Sequence, residues 1–257
     1  MTENKYSKIL VLGAGPVVIG SSSEYDYSAV SVCRALKEEG ISVVSVNSNP
    51  DTIMTDKNVA DTVYIEPLNG ETVKKIIEKE IPDAIIGTTG GEAGLEICLE
   101  LLQNGYLDEH GTKLLGIKPE TIKAIRNEQA LRDTLENVGE PYVSAKVLPT
   151  DAECVTFASE IGFPVLISPA FTPDFSEPIR CENADDILSG FGSCAERSLV
   201  NEVYVRKCVD DYKEVEFVAM RDSFGNCISV SSTENIDSVG IHSGDSIVVI
   251  PAQTLTD

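Results

Sequence analysis

Alternation of strand and helix signals over the first 120 residues constrains the fold of this chain more than any other feature. The apolar run Lys8–Leu12 ends in a glycine-rich turn, and a helical pattern over Tyr25–Glu39 follows and closes at Gly40. This rhythm predicts a parallel sheet with helices on both faces. It continues through predicted strands at Ser42–Val46 and Ala84–Ile86, predicted helices at Glu71–Glu80 and Glu92–Gln103, and an apolar run at Leu114–Ile117.

The pattern changes near residue 120, and we therefore predict two domains, 1–120 and 121–257. A long helical segment, Pro119–Gly139, leads into the second domain. Beyond Val203 the chain is rich in strand signals, which together with the preceding helices predicts an α+β domain. Its other predicted elements are helices at Asp151–Ile161 and Ala184–Arg197, strands at Val165–Ser168, Glu214–Met220 and Cys227–Thr233, and a turn at Asp222–Asn226.

Composition excludes several classes of function. The net charge of −22 argues against nucleic-acid binding, which depends on Lys and Arg at phosphates. No apolar run approaches the roughly 20 residues of a membrane span, and the polar start lacks a signal sequence, so we expect a cytoplasmic protein. The seven scattered cysteines are expected to be buried thiols, and two histidines offer little material for a metal site.

The glycine-rich turn Gly13–Gly20 lies between a predicted strand and a predicted helix, where a phosphate could approach backbone N–H groups. Its spacing is not G-x-G-x-x-G, and the second strand ends in Asn47 rather than a ribose-binding acid. These differences favour structural glycines over a dinucleotide site. The turn Thr88–Gly91 precedes the next helix; it is interpreted as a connecting turn, with a small-anion site as the alternative.

Longer motifs carry a resemblance to a known family. The stretches LGAGPVVIGSSSEYDYSA, VNSNPDTIMTD, YIEPL and STENIDSVGIHSGDSIVVIPAQTLTD resemble the N-terminal part of the carbamoyl-phosphate synthetase large subunit, first ATP-grasp half. The resemblance runs the whole length of the chain. It implies an α/β fold, with a parallel-sheet, Rossmann-like pre-ATP-grasp domain followed by an incomplete α+β ATP-grasp domain.

The resemblance also implies an activity. In that family the first half uses MgATP to phosphorylate bicarbonate, ammonia from a glutaminase subunit then makes carbamate, and carbamoyl phosphate feeds pyrimidine and arginine synthesis. This chemistry needs cations at the triphosphate, a glycine-rich loop over the phosphates, and oxygen ligands for Mg²⁺.

Some family positions that contact the nucleotide are retained. Glu214, Gly240, Ile241 and His242 match them, and Val209 is a conservative change. The resemblance therefore predicts these residues as nucleotide-binding. Glu214 and His242 also have an alternative interpretation, as polar residues on a β-surface or turn that were kept with the fold.

Other family positions are degenerate. Glu128 and Ser168 stand where the family has arginines, and Lys207 replaces a glutamate near the nucleotide. The glycine-rich lid is replaced by a segment with two prolines that includes Asp174 and Phe175. The metal-carrying carboxylates of the family correspond to positions beyond Asp257, so we assign no catalytic residue and no metal ligand, and expect weak MgATP binding.

Three functional hypotheses follow. The chain is a truncated portion of a synthetase large subunit, inactive alone and needing the remainder of that subunit or a glutaminase subunit as partner. Alternatively, it is a non-catalytic ATP-grasp-like scaffold, a pseudoenzyme that binds a protein partner. The third hypothesis is a divergent ligase with a rebuilt site, for which Arg180, Arg206 and Lys207 are the candidate cations. The oligomeric state is left open.

Overall fold

The computed structural model describes residues 6–16, 23–126, 128–170, 177–198, 200–222, 224–242 and 246–255. The chain divides into two compact units, Met1–Asn127 and Glu128–Asp257. Each has its own secondary structure and its own apolar core.

The first unit is built around a parallel sheet. Its strands are β1 (Lys8–Leu12), β2 (Ser42–Asn47), β3 (Thr62–Ile65), β4 (Ala84–Ile86) and β5 (Lys113–Leu115). Its helices are α1 (Ser23–Glu38), α2 (Gly70–Glu80), α3 (Gly91–Gln103), α4 (Tyr106–Glu109) and α5 (Pro119–Arg126), with 3₁₀ turns at Ile53–Thr55 and Thr88–Gly90. The strand order is β3-β2-β1-β4-β5, and every described pairing is parallel.

Alternate side chains of the central strands enter cores on opposite faces of this sheet. Leu10 and Leu12 of β1 lie in a core built with α2 and α3. Ile9 and Val11 lie in a second core, which α1 covers. The predicted parallel sheet with helices on both faces is therefore confirmed.

The glycine-rich turn after β1 packs closely on its neighbours. A Cβ at Gly13 would lie 2.5 Å from Nδ2 of Asn47, and Gly15 has a φ of +80°. The side-chain oxygen of Asn47 accepts hydrogen bonds from the backbone N–H of Gly15 (3.1 Å) and of Asn49 (3.2 Å). In the neighbouring turn, Thr89 Oγ1 donates to the carbonyl of Leu12 at 2.8 Å. Gly13 thus has a structural reason, since a side chain would collide with Asn47, and Gly15 has one in its positive φ.

The second unit contains an antiparallel sheet with helices on one face. Its strands are β6 (Ala145–Leu148), β7 (Val165–Pro169), β8 (Ile179–Cys181) and β9 (Val203–Lys207), and its helices are α6 (Glu128–Val138), α7 (Asp151–Ile161) and α8 (Ala184–Arg197). The strand order is β6-β9-β7-β8. Residues of α7 and α8, including Cys154 and Ile187, pack with Ile167 and Val205 in one core.

A second antiparallel sheet follows in the same unit. Its strands are β10 (Lys213–Arg221), β11 (Cys227–Ser238) and β12 (Val248–Val249), in the order β10-β11-β12. The predicted turn at Asp222–Asn226 joins the first two strands: Asp222 Oδ1 accepts from the backbone N–H of Phe224 and of Asn226, both at 2.9 Å. These local bonds let Asp222 close the hairpin.

Two expectations need adjustment. The helical segment predicted over Pro119–Gly139 is described as α5 and α6 on either side of residue 127, and Gly139 follows α6 with a φ of +77°. The expectation of buried thiols is confirmed for six cysteines and is wrong for Cys227, which is exposed. Cys227 begins β11 next to the hairpin turn, and it belongs to none of the apolar clusters of the described residues.

Candidate functional site

The pairing of β7 with β9 determines which side chains lie on the face of the sheet opposite α7 and α8. Ile167 pairs with Val205, and both side chains enter the core beneath α7 and α8. Ser168 pairs with Tyr204, so strand alternation places these two on the opposite face. Ser168, which the family resemblance aligns with an arginine, is therefore on the face opposite α7 and α8 and carries no charge.

Lys207 lies on the core side of the same sheet. It pairs with Val165 and follows Val205 by two residues. Its Nζ donates to the backbone carbonyls of Gly162 (2.8 Å) and Phe163 (3.2 Å), next to the end of α7. Because these carbonyls close a helix C-terminus, an ammonium group is favourable there. Lys207 is thereby turned away from the face that presents Ser168.

Arg180 on β8 is engaged by acidic side chains. Its Nε donates to Glu182 Oε1 at 2.7 Å, and its Nη1 donates to Asp210 Oδ2 at 2.6 Å and to Cys208 Sγ at 3.2 Å. A hydrogen bond from Cys208 lowers the pKa of the Asp210 carboxyl, and Arg180 and then Arg206 lower it further. The positive charge of Arg180 is thus largely neutralised by two carboxylates.

The family positions predicted as nucleotide-binding come together at two adjoining loops. The backbone N–H of Val239 donates to the carbonyl of Tyr212 at 2.9 Å. This bond joins the loop after β9, which includes Val209, to the turn at 239–242 after β11. A Cβ at Gly240, whose φ is +89°, would lie 3.3 Å from Asp210 Oδ1. Gly240 therefore allows close approach of the two loops.

His242 and Glu214 lie at the borders of this loop pair. His242 has a φ of +50°, and its Nδ1 lies 3.0 Å from Asp237 Oδ2. Glu214 is at the start of β10, at a register shift between Lys213 and Val215. Ile241 is half exposed beside His242. The structure thus brings the retained family positions into one neighbourhood, and their role in binding stays a prediction.

Two groups of predicted site residues are only partly described. Glu128 is the first residue of α6. Asp174 and Phe175, in the segment predicted to replace the lid, lie outside the described residues.

Sequence reasoning missed one buried carboxylate near this region. Glu234 of β11 accepts from Lys213 Nζ (2.7 Å), Thr254 Oγ1 (2.6 Å) and the backbone N–H groups of Gln253 (2.8 Å) and Thr254 (3.0 Å). The bond from Lys213, followed by that from Thr254, lowers the pKa of Glu234 to about 2. The only hint in the sequence is a charged residue within a run of alternating strand positions, which is a weak signal.

These contacts can be tested against the needs of MgATP. A triphosphate requires uncommitted cations on the ligand face, whereas Lys207 binds backbone carbonyls and Arg180 binds carboxylates. Among the described residues, no group of three or more His, Cys, Asp or Glu side chains is arranged to hold a metal ion. Lys207 and Arg180 are therefore not free to bind a triphosphate on that face, and we derive no catalytic step from the described part of the site.

Comparison with solved structures gives the class of fold. The chain is similar to the biotin carboxylase domain of the Hydrogenobacter thermophilus 2-oxoglutarate carboxylase, solved with MgADP and bicarbonate (TM-score 0.69, 20% identity, covering 89% of this chain and 50% of that one). It is also similar to a Campylobacter jejuni biotin carboxylase solved with β-γ-ATP (TM-score 0.68, 20% identity, 90% and 51%). These likenesses show an ATP-grasp type of fold.

Sequence comparison gives the family. Residues 5–124 match the carbamoyl phosphate synthase preATP-grasp domain, and residues 127–257 match the carbamoyl-phosphate synthase L chain, ATP binding domain. The chain therefore belongs to the carbamoyl phosphate synthase large-chain family. It is 48% identical to the large chain of Agathobacter rectalis over 254 residues and 47% identical to that of Lachnoclostridium phytofermentans, in each case 99% of this chain and 24% of the relative.

The chain thus spans about a quarter of the length of the curated relatives it matches. No helix in the described ranges is long and apolar enough to cross a membrane.

Proposed function

We propose that this chain is a module of a carbamoyl phosphate synthase large chain that does not phosphorylate bicarbonate by itself. The observation that carries this proposal is the direction of the Lys207 ammonium group, which binds the carbonyls of Gly162 and Phe163. Because Lys207 points to the core side of the sheet, its ammonium group cannot replace the positive charge of an arginine at position 168, on the other face.

The binding free energy expected from two arginine contacts to the nucleotide supports the same conclusion. A hydrogen bond to a charged group contributes about 1.5–3 kcal/mol. Absence of the two family arginines, at Glu128 and Ser168, therefore weakens nucleotide binding by about 3–6 kcal/mol, or about two to four decades in affinity.

The setting of the module follows from the family. We propose a cytoplasmic protein that serves carbamoyl phosphate formation for pyrimidine and arginine synthesis. Its partners in this proposal are the remaining polypeptide of a large chain and, through it, a glutaminase subunit that supplies ammonia.

Turnover by the purified chain tests the proposal. Bicarbonate-dependent release of ADP from MgATP is expected to stay at the background rate of a protein-free control. The double variant Glu128→Arg/Ser168→Arg is also expected to remain inactive, because two arginines do not supply metal ligands. Measurable bicarbonate-dependent turnover by the chain or by this variant would sink the proposal.

A non-catalytic scaffold is the second candidate. It is favoured by the many apolar side chains exposed on β10 and β11, which suit a protein partner better than a nucleotide. A ligase with a rebuilt site is less well supported. It needs Arg180, Arg206 and Lys207 to converge on one ligand, whereas Arg180 and Lys207 have other partners on opposite faces of the sheet.

A further inference from the structure

Two arginines lie on the same face of the sheet formed by β6, β9, β7 and β8. Arg180 of β8 and Arg206 of β9 both pair with Leu166 of β7. The residues on either side of Leu166, Val165 and Ile167, enter the core beneath α7 and α8. Because side chains alternate along a strand, Arg180, Leu166 and Arg206 form one row on the opposite face.

The two arginines of this row are close enough to share one small ligand. Adjacent strands lie about 4.8 Å apart, so the backbones of Arg180 and Arg206 are separated by about 10 Å across β7. An arginine side chain is long and ends in a fork of five N–H donors. Both guanidinium groups can therefore reach an anion that lies over Leu166.

The Asp210 carboxylate lies at this pair of arginines. Its Oδ2 accepts a hydrogen bond from Arg180 Nη1 at 2.6 Å. A hydrogen bond from Cys208 is the largest cause of the lowered pKa of the Asp210 carboxyl, and the charges of Arg180 and Arg206 lower this pKa further. Both arginines therefore act on one carboxylate, which belongs to the loop that follows β9.

The carboxylate does not use all the donors that the two arginines offer. Arg180 is bonded to Glu182 through Nε and to Asp210 and Cys208 through Nη1. Arg206 is half-buried, and its guanidinium donates no hydrogen bond to any other residue that the structure describes. An anion with more acceptor oxygens than a carboxylate could bond to both arginines.

We propose that Arg180 and Arg206 form a binding site for a phosphate-bearing anion, for which the Asp210 carboxylate competes from within the chain. A phosphate group carries about −1.5 to −2 charges at pH 7 and three strong acceptor oxygens, which suits two guanidinium groups. The site uses neither of the positions at which the family has arginines, Glu128 and Ser168. It therefore goes beyond the proposed function, which concerns MgATP and bicarbonate.

Isothermal titration with inorganic pyrophosphate at constant ionic strength tests the site. The native chain is expected to bind weakly, because Asp210 already accepts from Arg180. Asp210→Asn and Asp210→Ala are each expected to lower the Kd about tenfold or more, since they remove a charged competitor for Arg180. The alanine variant also excludes an acceptor oxygen that asparagine would retain.

A neighbouring acid gives the matched control. Asp211→Asn removes the same charge from the next residue, which is exposed and has a φ of +68° that asparagine adopts readily. Its Kd for pyrophosphate is expected to equal that of the native chain. Circular dichroism checks that every variant is folded.

A double variant locates the second arginine. Arg206→Gln added to Asp210→Asn is expected to raise the Kd about tenfold, because it removes the hydrogen bonds of one guanidinium group to the anion. Arg206→Gln alone is expected to weaken the binding of pyrophosphate by the otherwise native chain by a similar factor, about tenfold. This last comparison tests the site even if both Asp210 variants fail to fold.

The proposal is overturned by an unchanged Kd in folded Asp210 variants, or by an equal gain in Asp211→Asn, which would show an effect of net charge alone. It is also overturned if Arg206→Gln leaves the Kd unchanged in either background. Pyrophosphate binding is measured without MgATP or bicarbonate. Its outcome is therefore independent of whether the chain turns over ATP.

Discussion

The parallel sheet of the first unit and the antiparallel sheet of β10, β11 and β12 differ in what covers their faces. Leu10 and Val11 are adjacent in β1 and enter two different cores, each closed by helices. Phe217 and Val218 are adjacent in β10 and both face solvent. Apolar residues in neighbouring positions thus stabilise the first sheet, whereas in the second they are exposed to solvent.

The same contrast extends to charge. In the open-faced sheet β6–β9 the cations at the predicted site are held by carbonyls and carboxylates of the unit itself. Burial thus maintains the apolar cores, and two of the three candidate cations, Arg180 and Lys207, have partners within their own unit.

The largest expected difference between the two sheets is in the cost of removing an apolar side chain. Leu10→Ala removes a fully buried side chain from β1 and is expected to lower the free energy of unfolding by about 2–5 kcal/mol. Ile228→Ala, at an exposed position of β11, is expected to change it by no more than about 0.5 kcal/mol. Urea unfolding measures both, and similar losses for the two variants would contradict the comparison.

Lys207 gives a smaller effect that distinguishes a structural from a ligand-binding role. Lys207→Ala removes the bonds to Gly162 and Phe163, and is expected to lower the free energy of unfolding by about 1–2 kcal/mol. Lys146→Ala, at an exposed position of β6, is the control and should be neutral. A Lys207 variant with unchanged stability and altered MgATP affinity would reverse the assignment.

The contacts of Glu234 lead us to expect that residues 251–254 detach from β11 at low pH. Its folded pKa of about 2 lies below the ordinary glutamate value of about 4.3, so the charged form is favoured by folding. Its contribution is complete above about pH 4.3 and is lost as the pH falls through about 2.

Hydrogen exchange of the Gln253 and Thr254 amides, which donate to Glu234, follows this release. Glu234→Gln is expected to lower their protection at neutral pH and to remove the acid dependence. Equal protection in the two proteins between pH 2 and 7 would show that other contacts hold the segment.

The smallest expected effect is on the reactivity of the cysteine thiols and leaves the free energy of unfolding unchanged. Cys227 is exposed, whereas burial raises the pKa of Cys98 and of Cys154 to about 12. Iodoacetamide is expected to label one thiol in the native chain and none in Cys227→Ser. Mass spectrometry counts the labels, and rapid labelling at Cys98 or Cys154 would show that a core opens.

The sequence predicts the long elements of both units and misses several of the short ones, although the three-residue strand Ala84–Ile86 has its predicted bounds. Strand Lys8–Leu12 and helices Asp151–Ile161 and Ala184–Arg197 have the predicted bounds, because apolar periodicity and capping residues mark them. The strand Ile179–Cys181 is absent from the prediction, since three residues with a central arginine carry no periodic signal.

The candidate site was predictable only as a set of positions. Family motifs give Glu214 and Gly240–His242, and the structure places them near the loop after β9. The partners of the cations could not be predicted, because Arg180 and Asp210 are 30 residues apart and meet only once β8 and β9 take their places in the sheet. The direction of Lys207 likewise depends on a register that the sequence does not state.

Isothermal titration of the purified chain with ATP and Mg²⁺ at moderate salt tests most directly whether the nucleotide site has been lost. Because Lys207 binds backbone carbonyls and Arg180 binds carboxylates, we expect no MgATP binding tighter than a Kd of about 100 μM, or about −5.5 kcal/mol. A Kd well below that value would show that the site has been rebuilt, and would contradict the assignment of this chain as inactive on its own.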